Sequence, residues 1–259
     1  MDLQLQNKVV LITGGAKGIG AAIARTCWQE GAIPVIVDRD GGASQQIQQE
    51  LGGVGKCASI TLDLSVPDNC QKAIERTLGA FGRLDALVNN AGINDKVGLE
   101  SGNPQDYVAS LHRNLVHYFS MAHYALPYLK QARGTIVNIG SKTSITGQGG
   151  TSGYASSKGA ILALTREWAA ELLPHKIRVN AVIPAEVMTP LYRDWLDTFP
   201  DRETKLKTIL AKIPLGNRMT TAEEIAATVV FLLSEKSGHT TGQHLFVDGG
   251  YTHLDRALT

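Results

Sequence analysis

The stretch VVLITGGAKGIG, from Val9 to Gly20, joins an apolar β-branched run to a glycine-rich turn that opens a helical segment. Glycine lets the chain turn sharply and lets backbone amides approach a phosphate, and a helix N-terminus adds partial positive charge. By itself, this pattern is also compatible with an ordinary tight turn. Its position between a strand and a helix favours a nucleotide-binding βαβ unit.

The next apolar run, IPVIVD, ends in an acidic residue, Asp38. A carboxylate at this point can accept hydrogen bonds from ribose hydroxyls and would repel a ribose phosphate, although a turn aspartate would look the same. Lys17 and Arg39 act in the opposite direction, because basic groups near that ribose would attract a phosphate. On balance the pattern favours NAD, with NADP less favoured.

Short β-branched runs alternate with longer segments of helical spacing along the rest of the chain. The runs that predict strands are Val9–Thr13, Ile33–Asp38, Ala86–Asn90, Thr135–Gly140, Ile177–Ile183 and His244–Gly249. The segments that predict helices are Gly18–Gly31, Asp68–Phe81, Pro104–Lys130, Tyr154–Leu173 and Ala222–Leu233. Because the strands are apolar through their centres, we expect an α/β protein with a doubly wound parallel sheet, the three-layer α/β/α Rossmann fold.

No repeat or flexible linker divides the chain, so residues 1–259 are predicted to form a single domain. Pro34 makes a central place for its strand less certain, although it lies near the strand start, where proline is tolerated. One long irregular region, residues 184–215 approximately, is predicted to be a lid over the substrate.

The composition excludes several classes of protein. The 25 basic and 24 acidic side chains nearly cancel, so no attraction to nucleic acid or to an anionic membrane is expected. The N-terminus lacks a signal-peptide pattern and the three cysteines lack metal-type spacing, which favours free thiols in the cytoplasm. His112, His117 and His123 form no metal-ligand pattern, so no metal is predicted.

A second stretch, GSKTSITGQGGTSGYASSK from Gly140 to Lys158, carries the candidate chemistry. In a helix that begins near Tyr154, Tyr154 and Lys158 lie on one face about one turn apart. An ammonium beside the phenol, with the positive charge of an oxidised nicotinamide, is expected to lower the pKa of Tyr154 towards the range of a general base. Ser141 follows a strand and can hydrogen-bond a substrate oxygen. The alternative is an interfacial tyrosine beside a solvated lysine.

These motifs together resemble the classical short-chain dehydrogenase/reductase (SDR) family over essentially the full chain. The matching residues are Thr13-Gly14-x-x-x-Gly18-Ile19-Gly20, Asp63, Asn89-Asn90-Ala91-Gly92, Asn114, Ser141, Tyr154-x-x-x-Lys158 and Val247-Asp248-Gly249-Gly250. The resemblance implies that Tyr154 is the general acid/base, that Ser141 orients the reacting oxygen, and that Lys158 binds the nicotinamide ribose. It also implies that Asn114 holds a water in a proton relay. The implied cofactor-binding residues are Gly14, Lys17, Gly18, Ile19, Gly20, Asp38, Arg39, Asp63, Leu64, Asn90, Ala91, Gly92, Tyr154, Lys158, Pro184, Val187 and Thr189.

The chain departs from the family pattern after the sixth strand, where Pro184-Ala185-Glu186 replaces the usual Pro-Gly. Glu186 places a carboxylate near the expected reacting centre, unless it turns to water or pairs with Arg193. Because burying an unpaired charge is costly, a hydroxyl-rich ligand is the simpler partner. The polar and aromatic residues predicted to bind the substrate are Asn94, Asp95, Ser141, Lys142, Gln148, Tyr154, Glu186, Arg193 and Trp195, with Thr143 and Tyr192 beside them.

Within the family, Ser141–Gly147, Pro184–Tyr192 and the tail Val247–Leu258 resemble the L-fucose dehydrogenase-like branch. That resemblance implies hydride transfer from C1 of an aldose, with a lactone as product. Alternatives are a 3-oxoacyl-carrier-protein reductase, a hydroxysteroid dehydrogenase and, outside enzymes, a nucleotide-sensing binding protein. The resemblance also implies a homotetramer built on the helices that carry Asn114 and Tyr154. The tail Tyr251–Arg256 is a candidate for reaching a neighbouring site.

Overall fold

A computed structural model of the chain describes residues 1–53 and 55–254. Its central sheet has seven parallel strands in the order β3-β2-β1-β4-β5-β6-β7. The strands are β1 (Val9–Thr13), β2 (Ile33–Asp38), β3 (Ala58–Thr61), β4 (Ala86–Asn89), β5 (Thr135–Ile139), β6 (Arg178–Pro184) and β7 (His244–Val247). The order reverses between β1 and β4, and open α/β sheets bind ligands at such a switch point, beside the carboxyl ends of the strands.

Helices cover both faces of the sheet. They are α1 (Gly18–Gln29), α2 (Gly41–Glu50), α3 (Pro67–Phe81), α4 (Pro104–Leu111), α5 (His117–Ala132), α6 (Ser152–Glu171), α7 (Pro190–Leu196), α8 (Arg202–Leu210) and α9 (Ala222–Leu233). Successive side chains of β1 point to opposite faces, so Val10 and Ile12 pack in one buried cluster and Val9 and Leu11 in the other. The predicted fold class, a doubly wound sheet in one domain, is confirmed.

All six predicted strands are present, with small shifts at their ends, but β3 and α2 were missed by the strand and helix patterns. The β3 sequence, ASIT, is half-exposed and short, and α2 contains four glutamines and one large apolar residue, Ile47. Neither segment therefore carries the apolar periodicity on which such predictions depend.

Pro34 occupies an interior strand without breaking the sheet. It lies opposite Val10 of β1, whereas the pairing of β2 with β3 begins one residue later, at Val35 and Ala58. The missing amide of Pro34 thus falls outside the ladder with β3, which is why proline is tolerated there.

The region predicted as irregular, 184–215, contains two helices, α7 and α8. The side chain of Thr189 caps α7 by accepting from the amide of Tyr192, and Asp201 caps α8 through the amide of Thr204. The prediction of a structureless segment was wrong because these helices are short and bury few side chains. Within the described ranges, no helix is long and apolar enough to cross a membrane.

The cysteine thiols at Cys27, Cys57 and Cys70 are buried and free, as the sequence predicted. Burial raises the pKa of the Cys27 and Cys57 thiols to about 12, so these groups stay protonated and unreactive at neutral pH.

Candidate active site

The glycine-rich turn after β1 leaves an open cradle at the carboxyl end of the sheet. Gly14 and Gly18 have φ values of 63° and 53°, which side chains rarely adopt, and a Cβ at Gly20 would overlap the carbonyl oxygen of Gly14. Asn90, after β4, holds the turn: its Nδ2 donates to the carbonyls of Thr13 and Gly14 at 2.9 Å each. The backbone there is therefore fixed and free of side chains.

This turn opens onto a cleft of about 520 Å³. Sixteen of the seventeen predicted cofactor residues line it: Gly14, Lys17, Gly18, Ile19, Gly20, Asp38, Arg39, Asp63, Leu64, Asn90, Ala91, Gly92, Tyr154, Lys158, Pro184 and Thr189. Val187 does not; its side chain is buried in the hydrophobic core and its backbone bridges to Thr220. A contact of Val187 with the cofactor therefore stays a prediction.

Asp38 and Asp40 lie at one end of the cleft. Asp38 accepts hydrogen bonds from the amides of Ala16 at 3.2 Å and Asp40 at 3.0 Å. Lys17 is paired with Asp40 at 2.6 Å, and this hydrogen bond raises the pKa of the lysine. Since Lys17 is already compensated, the balance of charge beside Asp38 is less basic than the sequence suggested.

Asn114 reaches the site through a break in helical regularity. The segment predicted as one helix, Pro104–Lys130, is interrupted at His112–Val116 by a π-helical turn, a feature found often at functional sites. Asn114 lies in this turn, fully buried, where its Oδ1 accepts from the amide of Ile93 at 2.7 Å and its Nδ2 donates to the carbonyl of Ser110 at 3.1 Å. Its side chain is therefore fixed against the loop that follows β4.

Ser141, two residues after the end of β5, is buried near the start of α6. Its Oγ accepts from the amide of Thr143 at 3.3 Å and from the Thr143 hydroxyl at 3.0 Å. Because both contacts use lone pairs, the hydrogen of the Ser141 hydroxyl stays available to a further acceptor.

Tyr154 and Lys158 lie one turn apart on α6, and Lys158 Nζ is 5.7 Å from the centroid of the Tyr154 ring. Lys158 by itself does not lower the pKa of Tyr154: burial raises this pKa, and only the Ser141 hydroxyl works in the opposite direction. The lowering expected of Lys158 together with an oxidised nicotinamide stays a prediction. The ammonium is directed elsewhere, since Lys158 donates to the hydroxyl of Tyr118 at 3.0 Å and to the carbonyl of Ile139 at 2.8 Å. Burial also lowers the pKa of Lys158 to about 7.

Glu186 forms an ion pair with Lys142 and not with Arg193, which is exposed. Both partners are nearly buried, with side chains 10% and 13% exposed. Burial, followed by the charge of Glu186 and a hydrogen bond to it, raises the pKa of Tyr192, and Lys142 Nζ lies 4.3 Å from the centroid of the Tyr251 ring. The expected carboxylate is therefore present but compensated, within a cluster of Lys142, Glu186, Tyr192 and Tyr251.

The other predicted substrate residues are scattered. Asp95 is bound to Arg113 at 2.7 Å and to Ser110 at 2.9 Å, so both of its carboxylate oxygens already have partners. Asn94 accepts from the amide of Lys96, and Gln148 is exposed. Trp195 lies edge-on to Tyr192 and Phe199. Of this set, Lys142 and Glu186 pair with each other, and Lys142 directly follows Ser141 in the sequence.

The tail after β7 folds back on its own chain. Asp248 accepts from the amides of Gly250 and Thr252, and the His253 ring lies edge-on to Phe246 at 4.3 Å. Asp255 and Arg256, the last residues of the predicted tail contact, lie outside the described residues. Among those that the structure describes, no group of three His, Cys, Asp or Glu could hold a metal ion.

Known proteins are similar to this chain in sequence and, where their structures are solved, in fold. A family model described as enoyl-(acyl carrier protein) reductase matches residues 14–252. The L-fucose dehydrogenase of Mus musculus is 38% identical over 94% of this chain and 88% of its own length. The 3-oxoacyl-acyl-carrier-protein reductase of Thermotoga maritima is 36% identical over 96% of this chain and 99% of its own.

The chain belongs to the short-chain dehydrogenase/reductase family. As an SDR it is an oxidoreductase whose fold binds a nicotinamide cofactor. The crystal structure of Cj0485 dehydrogenase matches this SDR with a TM-score of 0.95 and 48% identity, over 100% of this chain and 99% of that one. The ligand-free aldohexose dehydrogenase of Thermoplasma acidophilum matches with a TM-score of 0.86 and 31% identity, over 97% and 96%.

Sequence reasoning missed several residues at the SDR site. Arg113, His117, Leu191 and Asp194 line the cleft without belonging to the recognised motifs. Tyr118 was missed because it lies within an apolar helical run, HYFSMAHY, where a tyrosine looks like an ordinary core residue. The contact with Lys158, forty positions away in sequence, separates it from the other tyrosine of that run, Tyr124.

Proposed function

We propose that the protein is an NAD-dependent dehydrogenase that oxidises the C1 hydroxyl of an L-fucose-like aldose to a lactone. The observation that carries this proposal is the buried Lys142–Glu186 pair, which adjoins Ser141 in the chain. Sugar hydroxyls both donate and accept, so they can replace water beside a cation and a carboxylate, whereas an apolar ligand cannot. The similarity to an L-fucose dehydrogenase and an aldohexose dehydrogenase supports the same class of substrate.

The cleft residues fit a dinucleotide. The cradle at Gly14, Gly18 and Gly20 has room for a pyrophosphate beside the N-terminus of α1, and the Asp38 carboxylate can accept from ribose hydroxyls. In this proposal Asp63 and Leu64 border the adenine, and residues 90–92 with Thr189 border the rest of the cofactor. The pairing of Lys17 with Asp40, which engages the lysine away from a ribose phosphate, supports NAD over NADP.

Bound NAD would supply the hydride acceptor. The side chains would transfer the proton and orient the substrate. As the C1–H bond of the hemiacetal gives up its hydride, Tyr154 takes the proton of the C1 hydroxyl, which leaves a ring carbonyl. Ser141, whose hydrogen is available, donates to the reacting oxygen. Lys158 binds the nicotinamide ribose and stabilises the phenolate, and Asn114 holds a water in the proton relay.

Around the substrate, the cluster of Lys142, Glu186, Tyr192 and Tyr251 is proposed to bind the sugar hydroxyls that do not react. The lid, residues 184–215, is proposed to cover the sugar, since Leu191 and Asp194 of α7 border the cleft. Trp195, in contact with Tyr192, would offer a flat face to the sugar ring.

We also propose a homotetramer. An apolar groove between α5 and α6 is lined by Leu115, Val116, Phe119, Ala160, Ala163, Leu164 and Glu167, and Phe119 is 55% exposed. An apolar groove of this kind on the two helices named by the family resemblance is suited to bury itself against a second copy.

A 3-oxoacyl-carrier-protein reductase is the second candidate, because a relative of that name matches almost the whole chain. Hydroxysteroid oxidation and nucleotide binding without turnover complete the alternatives. The test is NADH formation from purified protein with NAD or NADP and, in parallel, L-fucose, D-arabinose, L-galactose and a steroid alcohol, with reduction of a 3-oxoacyl thioester by NADPH alongside. Sugar-dependent NADH with a lactone product is expected. Turnover confined to the steroid or thioester, or to the phosphorylated cofactor, would contradict the proposal.

A further inference from the structure

Tyr118, a residue outside the proposed catalytic set, makes direct contact with Lys158. It lies on α5 and is fully buried beneath the cleft. Three hydrogen bonds form a triangle: Lys158 Nζ donates to the Tyr118 hydroxyl at 3.0 Å and to the carbonyl of Ile139 at 2.8 Å, and the Tyr118 hydroxyl donates to the same carbonyl at 3.1 Å. The lysine is thereby tied to the strand that leads into Ser141.

The direction of these bonds follows from the donors and acceptors available. A phenol has one hydrogen, and a carbonyl oxygen can only accept, so the hydrogen of Tyr118 is committed to Ile139. The lone pairs of the hydroxyl then face Lys158 Nζ, and Tyr118 acts there as an acceptor. An acceptor stabilises an ammonium more than a neutral amine, because hydrogen bonds to charged groups are the stronger ones.

Apart from Tyr118, the charge of Lys158 is stabilised mainly by the carbonyl of Ile139, which also accepts from its Nζ. The titratable groups that face it are Tyr154 on its own helix and Tyr118 and His117 on α5. Burial holds the pKa of His117 at about 4, so its ring is neutral, and its Nε2 donates to the carbonyl of Arg113. Within the described residues, no carboxylate lies within ion-pair distance of Lys158.

We infer that Tyr118 is a positioning residue that acts through Lys158. It keeps the buried amine charged and holds it near Tyr154. This inference rests on the proposed function only in giving Lys158 a role beside the cofactor. It does not depend on which alcohol is oxidised.

Loss of the Tyr118 hydroxyl is expected to move the deprotonation of Lys158 to lower pH. Burial lowers the pKa of Lys158 to about 7. In our inference the Tyr118 hydroxyl, which accepts a hydrogen bond from Lys158 Nζ, opposes that fall. Removing the hydroxyl destabilises the ammonium, so the amine loses its proton at a lower pH. Any property that needs the charged lysine is then lost at a lower pH, by about one pH unit if one hydrogen bond to a charged group disappears.

The experiment compares Tyr118→Phe with wild type by NADH binding, followed by fluorescence from acidic to alkaline pH, together with the pH profile of kcat. Tyr124→Phe, on the same helix and half-buried against the core, is the matched control. We expect the alkaline loss of NADH affinity and of kcat to move to lower pH by about one unit in Tyr118→Phe. The control should keep the wild-type profile.

A double-mutant comparison keeps the test decisive if Tyr118→Phe is less stable. In a Lys158→Met background no amine can titrate, so Tyr118→Phe should leave NADH affinity unchanged at every pH. A wild-type pH profile in Tyr118→Phe, or an equal effect with and without Lys158, would overturn the inference. Failure of the sugar assays would not, because NADH binding is measured without substrate.

Discussion

At the scale of single residues, the Lys142–Glu186 pair determines the polarity expected of the proposed substrate-binding region. An unpaired buried carboxylate would demand a polar ligand, but a compensated pair also holds the loop after β5 against the start of the lid. Tyr192 and Tyr251 pack around the same two charges. The pair therefore joins three segments of the chain as well as offering a donor and an acceptor to the proposed sugar substrate.

Breaking that pair should cost stability through the charge left behind. We expect Glu186→Gln or Lys142→Met alone to lower the free energy of unfolding by about 3 kcal/mol, because each leaves a buried charge without its partner. The double variant should be less destabilised than the sum of the two, as urea unfolding would measure. Strict additivity would mean that the two side chains do not interact.

Asp38 governs the choice of cofactor in this account. Asp38→Asn keeps the size of the side chain and one acceptor but removes the charge that repels a ribose phosphate. We expect the preference for NAD over NADP, as the ratio of kcat/KM values, to fall by about tenfold, equivalent to about 1.4 kcal/mol. Glu171→Gln, an exposed change at the end of α6, is the control and should leave the ratio unchanged. An unchanged ratio in Asp38→Asn would show that Asp38 does not discriminate.

Some residues could be predicted from local sequence and others could not. Tyr154 and Lys158 are one helical turn apart, so their proximity follows from spacing alone. The partner of Glu186 could not be predicted, because Lys142 is forty-four positions away and only the folded sheet brings them together. The same holds for Tyr118 and for the direction of the Tyr154 pKa shift, which depends on burial.

At the scale of elements, the turn between β1 and α1 is the part of the molecule least able to accept a side chain. We expect Gly20→Ala to lower NADH affinity at least tenfold and the free energy of unfolding by about 1–3 kcal/mol, because its Cβ would overlap the backbone of Gly14. Gly79→Ala, on α3, has nothing within 4 Å of its Cβ and should raise stability by up to about 1 kcal/mol. Equal NADH affinity in both variants would show that the cradle is not the cofactor site.

The elements also show where periodicity fails as a guide. Apolar strands and amphipathic helices were predicted nearly to the residue, as with β1, β2 and α9. The π-helical turn at His112–Val116 escaped prediction, since its residues continue the helical spacing on both sides. This turn places Asn114 at the candidate site, and the amino-acid composition of the segment does not indicate it.

At the scale of the whole molecule, the groove between α5 and α6 should control assembly. We expect Phe119→Glu to convert the proposed tetramer into smaller species, since a charge would be buried at the contact between copies. Sedimentation velocity measures this directly, with Leu99→Glu, at a position 93% exposed, as the control. A tetramer that persists in Phe119→Glu would place the contact on another surface.

Transfer of an isotope label from C1 of a sugar to the cofactor would test the proposed hydride transfer and the role of Tyr154 in it. L-fucose deuterated at C1 is incubated with NAD and either wild type or Tyr154→Phe, and the reduced cofactor is analysed by mass spectrometry. We expect deuterated NADH from wild type and a rate lower by at least about a hundredfold in Tyr154→Phe, the loss typical of a missing general base. Unlabelled NADH, or an undiminished rate without the Tyr154 hydroxyl, would contradict it.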